Sequence, residues 1–239
     1  MAWGGNFYGQ CNVPPGLSNV VGISAGGSHS LALKRDGTVV AWGSDQYGAC
    51  EVPIELINVV DIAAGQSHSL ALKDDGTVVA WSREIWDVPD FVRDVVGISA
   101  GHEHSLALKK NGTVVAWLQK IYQSSDDLPL LDSPSGLADV VCLSASWYHN
   151  LVTKKDGTVT AWGRDPGPGE KNFPYKRVPY SLSDVVSVSA GYKTSLALKR
   201  DGSVVAWGEG KRLPAVLSNV VSISAGNSHA LALKNDSSD

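Results

Sequence analysis

The sequence predicts an all-β fold, a six-bladed β-propeller, on three observations. The first is repetition: Asn19 to Trp42 returns as Asn58 to Trp81, Asp94 to Trp117, Asp139 to Trp162 and Asp184 to Trp207, and a sixth copy begins at Asn219. A fixed period of this kind marks an array of equal supersecondary units. The second is spacing: from the Asn or Asp of each complete copy to its Trp the step is always 23, whereas from each Trp to the next copy it is 16, 16, 13, 22, 22 and 12. The constant part is scaffold and the variable part is loop. The third is a hairpin signal, Asp36-Gly37, which recurs as Asp75-Gly76, Asn111-Gly112, Asp156-Gly157 and Asp201-Gly202.

Within one unit, Val21, Ile23 and Ala25 alternate with Gly22, Ser24 and Gly26, then Leu31 and Leu33 alternate with Ser30 and Ala32. A period of two indicates strands with unlike faces. Asp-Gly supplies the positive backbone dihedrals of a tight hairpin, and Thr38 to Trp42 follows as a third strand. A short fourth strand is expected around Asn12-Val13-Pro14 and Glu51-Val52-Pro53, on the outer edge where Pro is tolerated. Small antiparallel sheets that cannot bury both faces alone pack radially as blades. Counting 23 on from Asn219 places the sixth Trp three residues beyond Asp239, and Trp3 would supply it in register. A single domain over residues 1–239 is therefore expected, its ring closed when Met1-Ala2-Trp3 completes the last blade beside Asp236, Ser237 and Ser238.

The pattern Ala-Gly-x-x-His-Ser-Leu-Ala-Leu-Lys followed by Asp-Gly-Thr-Val-Val-Ala-Trp-Gly resembles the repeat of the regulator of chromosome condensation family in its bacterial form. Within that family the likeness is nearest to the propellers that inhibit β-lactamases, which similarly open on Ala-Trp-Gly-Gly and close on Ala-Leu-Lys. The resemblance implies a propeller and a protein partner, with an enzyme inhibitor as one form of that function. It also implies an alternative, since the family founder is a guanine-nucleotide exchange factor for a small GTPase; a third reading is an architectural module. Both relatives have seven blades, so this chain departs from them in blade number.

Composition bounds the rest. A chain of 239 residues buries roughly 70–75% of its unfolded surface, enough to fold without a disulfide or metal. A net charge of −4 argues against a nucleic-acid footprint, and no apolar run reaches the length of a membrane span. Cys11, Cys50 and Cys142 form no disulfide pattern, and no signal peptide precedes Trp3, so a cytoplasmic, monomeric protein is expected.

The irregularities gather in repeats three to five. If the first strand runs up to Ala-Gly-x-x-His, the pair of residues before the His and the start of each post-Trp connector share one face, and the Asp-Gly hairpins share the other. Repeats one, two and six carry small or polar pairs there (Gly27-Ser28, Gln66-Ser67, Asn227-Ser228) and read as plain scaffold. The others carry His102-Glu103, Trp147-Tyr148 and Tyr192-Lys193, and their connectors add Trp86 and Tyr175. These eight residues are the expected partner-binding patch, because Trp and Tyr bury much area at low entropic cost. By resemblance, the inhibitor propellers use aromatics at the equivalent loops.

His29, His68, His104, His149 and His229 hold one repeat position and read as structural, bonded to neighbouring groups. No triad, carboxylate pair, phosphate-cradling loop or Cys-x-x-Cys stands out, so neither catalysis, a metal nor a cofactor is expected. The hairpin face carries Lys34, Lys73, Lys109, Lys154, Lys199 and Lys234 interleaved with Asp, a solvated rim.

Overall fold

The computed structural model describes residues 2, 5–83, 87–118, 131–164, 174–209, 213–214, 217–226 and 229–235. Each complete copy of the repeat forms one antiparallel sheet of three strands, ordered as in the sequence with the His-Ser-Leu strand in the middle. These are β1 (Val20–Ala25), β2 (His29–Lys34) and β3 (Val39–Gly43); β4 (Val59–Ala64), β5 (Ser69–Lys73) and β6 (Val78–Trp81); and β7 (Val95–Ala100), β8 (His104–Lys109) and β9 (Val114–Leu118). The series continues with β10 (Val140–Ala145), β11 (His149–Lys154) and β12 (Val159–Gly163), then β13 (Val185–Ala190), β14 (Thr194–Lys199) and β15 (Val204–Gly208). The last copy contributes β16 (Val220–Ala225) and β17 (Ala230–Lys234). The chain divides into two compact units, residues 1–110 with 115–123 and residues 111–114 with 124–239.

The expected fourth strand does not form at either place. Cys11 and Cys50 start tight turns in which Val13 N donates to Cys11 O and Val52 N to Cys50 O, and Pro14 and Pro53 then open further turns closed by Leu17 and Leu56. Proline cannot donate to a ladder, and here it serves as a turn former. The alternation in the first strand is also shifted. A bulge between Val20 and Gly22, repeated in every copy at the equivalent place, turns the first Val of the pair inward and the second outward. Val59, Val95, Val140 and Val185 are buried, while Val60, Val96 and Val141 are more than half exposed.

The hairpin and the Asn or Asp that opens each copy explain each other. Asn19, Asn58, Asp94, Asp139, Asp184 and Asn219 all have φ between 56° and 61°, the left-handed region that Asn and Asp tolerate best among residues with a side chain. That turn directs each carbonyl to the hairpin of its own copy, where Arg35, Asp74, Lys110, Lys155, Arg200 and Asn235 donate to it. The hairpin Asp or Asn accepts from the backbone N–H and hydroxyl two residues on, as in Asp36 with Thr38 and Asp201 with Ser203. Gly37 has φ +78°, and a Cβ there would lie 3.3 Å from the Cα of Asn58. This close approach lets the Gly37 carbonyl accept from Val59 N, a bond repeated between Gly76 and Val95, Gly157 and Val185, and Gly202 and Val220.

The core lies between consecutive sheets. In the first unit Leu31 and Leu33 of β2 pack with Val59 and Ile62 of β4 and Trp81, and Leu70 and Leu72 of β5 pack with Val95 and Ile98 of β7 and Trp117. The second unit repeats the arrangement with Leu151 of β11 against Val185 and Val188 of β13 and Trp207. Each fully buried Leu contributes about 1.5–3 kcal/mol, so a sheet is stable only beside its neighbour. The first and last sheets are the more exposed ones. Ile23 is 79% exposed where Ile62 and Ile98 are 7% and 8%, and Leu233 is 63% exposed where Leu198 is 4%.

Forcing a β-branched side chain into the left-handed turn should be costly. Asn58→Val is expected to destabilise the chain by about 1–2 kcal/mol and Asn58→Gly to be nearly neutral, as read from urea unfolding midpoints.

Candidate functional site

The repeated histidine is a fastener between sheets. His29 Nε2 lies 3.0 Å from Ser69 Oγ, His68 Nε2 3.0 Å from Ser105 Oγ and His149 Nε2 2.8 Å from Ser195 Oγ, so the ring of one copy reaches the serine of the next. Ser69 Oγ in turn donates to the carbonyl of Ala49, which also accepts from the indole of Trp81. Ser195 Oγ and the Trp207 indole share the carbonyl of Tyr175 in the same way, and Ser30 and Trp42 share that of Gln10. Since the serine proton goes to the carbonyl, the serine oxygen must accept from the imidazole. The neutral ring therefore carries its hydrogen on Nε2. The structural role expected for the repeated histidines is observed at His29, His68 and His149.

In the second unit, Trp147, Tyr148, Tyr192 and Tyr175 form one aromatic cluster. Trp147 and Tyr192 meet edge-on with centroids 5.3 Å apart, Tyr148 and Tyr192 at 5.2 Å, and Tyr148 stacks on Tyr175 at 6.4 Å. The Tyr148 and Tyr192 hydroxyls are 3.2 Å apart. The Lys193 ammonium sits 5.8 Å from the Tyr192 ring and 3.8 Å from Glu209 Oε1. Trp147, Tyr148, Tyr192 and Lys193 are half-buried and Tyr175 is buried, so Tyr175 is the support and the other four are the reachable part. Tyr175 is inside because it occupies the place of Ala49 and Gln10 in their copies, with its carbonyl bound to Ser195 and Trp207 and its ring 4.8 Å from His149. Ser146, where other copies have Gly, is buried beside His149 and within 3.1 Å of its Nδ1.

The other expected site residues lie in the first unit. His102 Nδ1 and Glu103 Oε1 pair at 3.4 Å, both half-buried. Trp86 lies outside the described residues, as do the connectors 119–130 and 165–173, Asn227-Ser228 and the terminal residues Trp3 and 236–239. On the hairpin face Lys34 pairs with Asp36 at 2.8 Å and Lys73 with Asp75 at 3.2 Å, in keeping with a solvated rim.

Repeats one and two, which read as plain scaffold, hold a cavity of about 170 Å³ lined by Tyr8, Ser28, His29, Ser44, Gln46, Tyr47, Ala49, Gln66 and Ser67. The signal for it in the sequence is a tyrosine 11 residues before Asn19 and another 11 before Asn58.

Residues 20–49, 59–84, 95–117 and 185–212 match the regulator of chromosome condensation (RCC1) repeat. Four segments of the chain thus carry the RCC1 pattern. No curated protein matches the sequence. Among solved structures, the entire ectodomain of the Physcomitrella patens receptor kinase CR4 is similar at 22% identity with a TM-score of 0.75, covering 94% of this chain and 60% of that one. Yeast RCC1 (Prp20) bound to Kap60 is similar at 20% identity and a TM-score of 0.69, covering 91% of this chain and 68% of that one. Human WBSCR16 follows at 21% identity and 0.68, covering 91% of this chain and 72% of that one. At these identities the likeness shows the fold, an all-β architecture of the RCC1-type β-propeller.

Burial sets the electrostatics of the repeated histidines. It pushes the His29 imidazole down to about 4, outweighing the nearby Asp45 carboxylate, and it holds His68 well below its ordinary value, with His104, His29 and His102 adding to the effect. Burial also raises the Asp61 carboxyl, against backbone hydrogen bonds from Ile62 and Ile98 that lower it.

A histidine held neutral in the fold and titrating near 6.5 when unfolded contributes stability that is complete above about pH 6.5 and lost as pH falls through its folded value. Urea unfolding of the chain should therefore weaken from pH 7 toward pH 4, His29 alone accounting for about 3 kcal/mol at the acid end, with a shallower fall in His29→Gln. Asp61 has the opposite sign, because the fold prefers its protonated form. Its charge opposes folding as pH rises above the ordinary carboxylate range, so Asp61→Asn should raise the melting temperature at pH 7 and leave it nearly unchanged near pH 3.

Proposed function

We propose that this chain is a non-catalytic RCC1-type propeller that binds another protein, and that Trp147, Tyr148, Tyr192 and Lys193 anchor the partner. The observation that carries this reading is the half-buried aromatic cluster in the variable loops of repeats four and five, where the other copies carry small or polar residues. Rings packed edge-to-face on one another and stacked through Tyr148 on a buried Tyr175 are already held in place, so a partner gains their area without paying much ordering entropy. Hot spots in protein interfaces are built from Trp and Tyr held in this manner. By their place in the repeat, His102, Glu103 and Trp86 of repeat three are proposed as partner-contacting residues of the first unit.

The narrower form of this proposal is that the partner is an enzyme and the chain its inhibitor, which rests on the resemblance of the repeat to the β-lactamase-inhibiting propellers. The proposal further includes a single six-bladed monomer whose ring is completed by the N-terminal segment. The six copies of the repeat in the sequence support the blade number. A second reading is nucleotide exchange on a small GTPase. It is favoured by the likeness to yeast Prp20, whose binding to Gsp1p and histones has been described.

The purified chain should be presented to panels of β-lactamases and of small GTPases and the binding measured by calorimetry. Trp147→Ala and Tyr148→Ala are each expected to weaken partner binding by about 2 kcal/mol or more while the melting temperature stays within a few degrees of the parent. Full affinity in both variants, or a large loss of thermal stability with affinity intact, would show the cluster to be a packing element only.

A further inference from the structure

We propose that the cavity between the start of β2, the β4–β5 turn and the connector turns of repeats one and two binds one neutral hexose unit. The proposal is independent of the protein-binding reading, since none of the residues involved belongs to the aromatic cluster.

The lining decides the ligand class. Every described residue around the cavity is uncharged at neutral pH: His29 is held neutral by burial, and the rest are Ser, Gln, Tyr and Ala. Asp45, next to the lining residues Ser44 and Gln46 in the chain, is already committed to Arg83 at 3.3 Å, and Arg83 also pairs with Glu51 at 2.9 Å. An anion or cation entering the cavity would lose water without gaining an ionic partner, which is unfavourable. A ligand rich in hydroxyl groups faces no such cost. Ser28, Ser44, Ser67 and the amides of Gln46 and Gln66 each offer both a donor and an acceptor.

The two tyrosines supply the second half of the chemistry. Tyr8 is 57% exposed and Tyr47 is 44% exposed, and both line the cavity, so their rings are reachable by a ligand there. A pyranose has C–H groups on its faces and hydroxyls around its rim. Rings with an apolar body and a polar tip suit it. The pair is specific to this place, because at the equivalent position the later repeats carry Arg83, Leu128, Phe173 and Gly208. Size selects a single ring. About 170 Å³ is well below the roughly 300–1,000 Å³ that encloses a drug-sized ligand, so further sugar units would extend into solvent.

The test is saturation-transfer difference NMR of the whole chain with methyl mannoside, methyl galactoside, methyl glucoside and N-acetylglucosamine, each alone at millimolar concentration. At least one is expected to show transfer to its ring protons. That signal should fall at least tenfold in Tyr47→Ala and in Gln66→Ala, and persist in Tyr47→Phe, which keeps the ring. Melting curves of all three variants establish that they are folded. Absence of transfer to every sugar overturns the proposal, and so does transfer undiminished in both alanine variants; a signal lost from Tyr47→Phe and Tyr47→Ala alike would overturn the stacking role assigned to the ring.

Discussion

The hydrogen bond from a histidine of one repeat to a serine of the next is the constraint on which the packing of the sheets depends. It is directional. The serine gives its proton to a loop carbonyl, the tryptophan indole gives its own to the same oxygen, and the imidazole closes the chain of donors. Three things are fixed together: the spacing of neighbouring sheets, the course of the connector that supplies the carbonyl, and the seat of the tryptophan. Removing any one partner leaves a buried polar group unpaired, at a cost of about 1–3 kcal/mol. The repeat keeps His, Ser and Trp together for this reason. Between repeats five and six it departs at both ends of one bond, and repeat four carries Asn150 in the place of the serine. Thr194 replaces the histidine of repeat five and donates instead to the carbonyl of Glu209, and Ala230 replaces the serine of repeat six.

A scaffold fastened in this way frees the loops above it. The residues before the histidine have no part in the relay, so they differ between copies without loss of the sheet. In repeats four and five that freedom is used for Trp147, Tyr148, Tyr192 and Lys193, seated on Tyr175, whose carbonyl remains part of the relay. In repeats one and two it is used for a small polar cavity whose floor includes His29 itself. The same fastening element therefore supports two chemically different surfaces, one aromatic and one rich in hydroxyls and amides.

Much of this was legible in the sequence, because a repeat shows the same local physics several times over. The Asp-Gly hairpins, the three strands and the structural histidines stood out as fixed positions among changing neighbours. The Asn or Asp before Val-Val was equally visible, but its reason, a left-handed turn that delivers a carbonyl to the hairpin, needs backbone angles. The outer Pro segments looked like edge strands because Val-Pro suits one, yet a turn satisfies the same residues at closer range. Tyr175 looked like a loop residue open to a partner, and its burial follows from its matching Ala49 in register, which unequal connector lengths conceal. The cavity was missed because its residues are small, polar and spread over two repeats that look alike.

The most direct test of the relay is the tautomer of its histidines. Long-range nitrogen–proton correlation spectra of the imidazoles, recorded near neutral pH, should show His29 and His149 as neutral rings with the hydrogen on Nε2. Rings protonated on Nδ1, or exchanging between both forms as a solvent-exposed histidine does, would contradict the donor order on which the account of this fold rests.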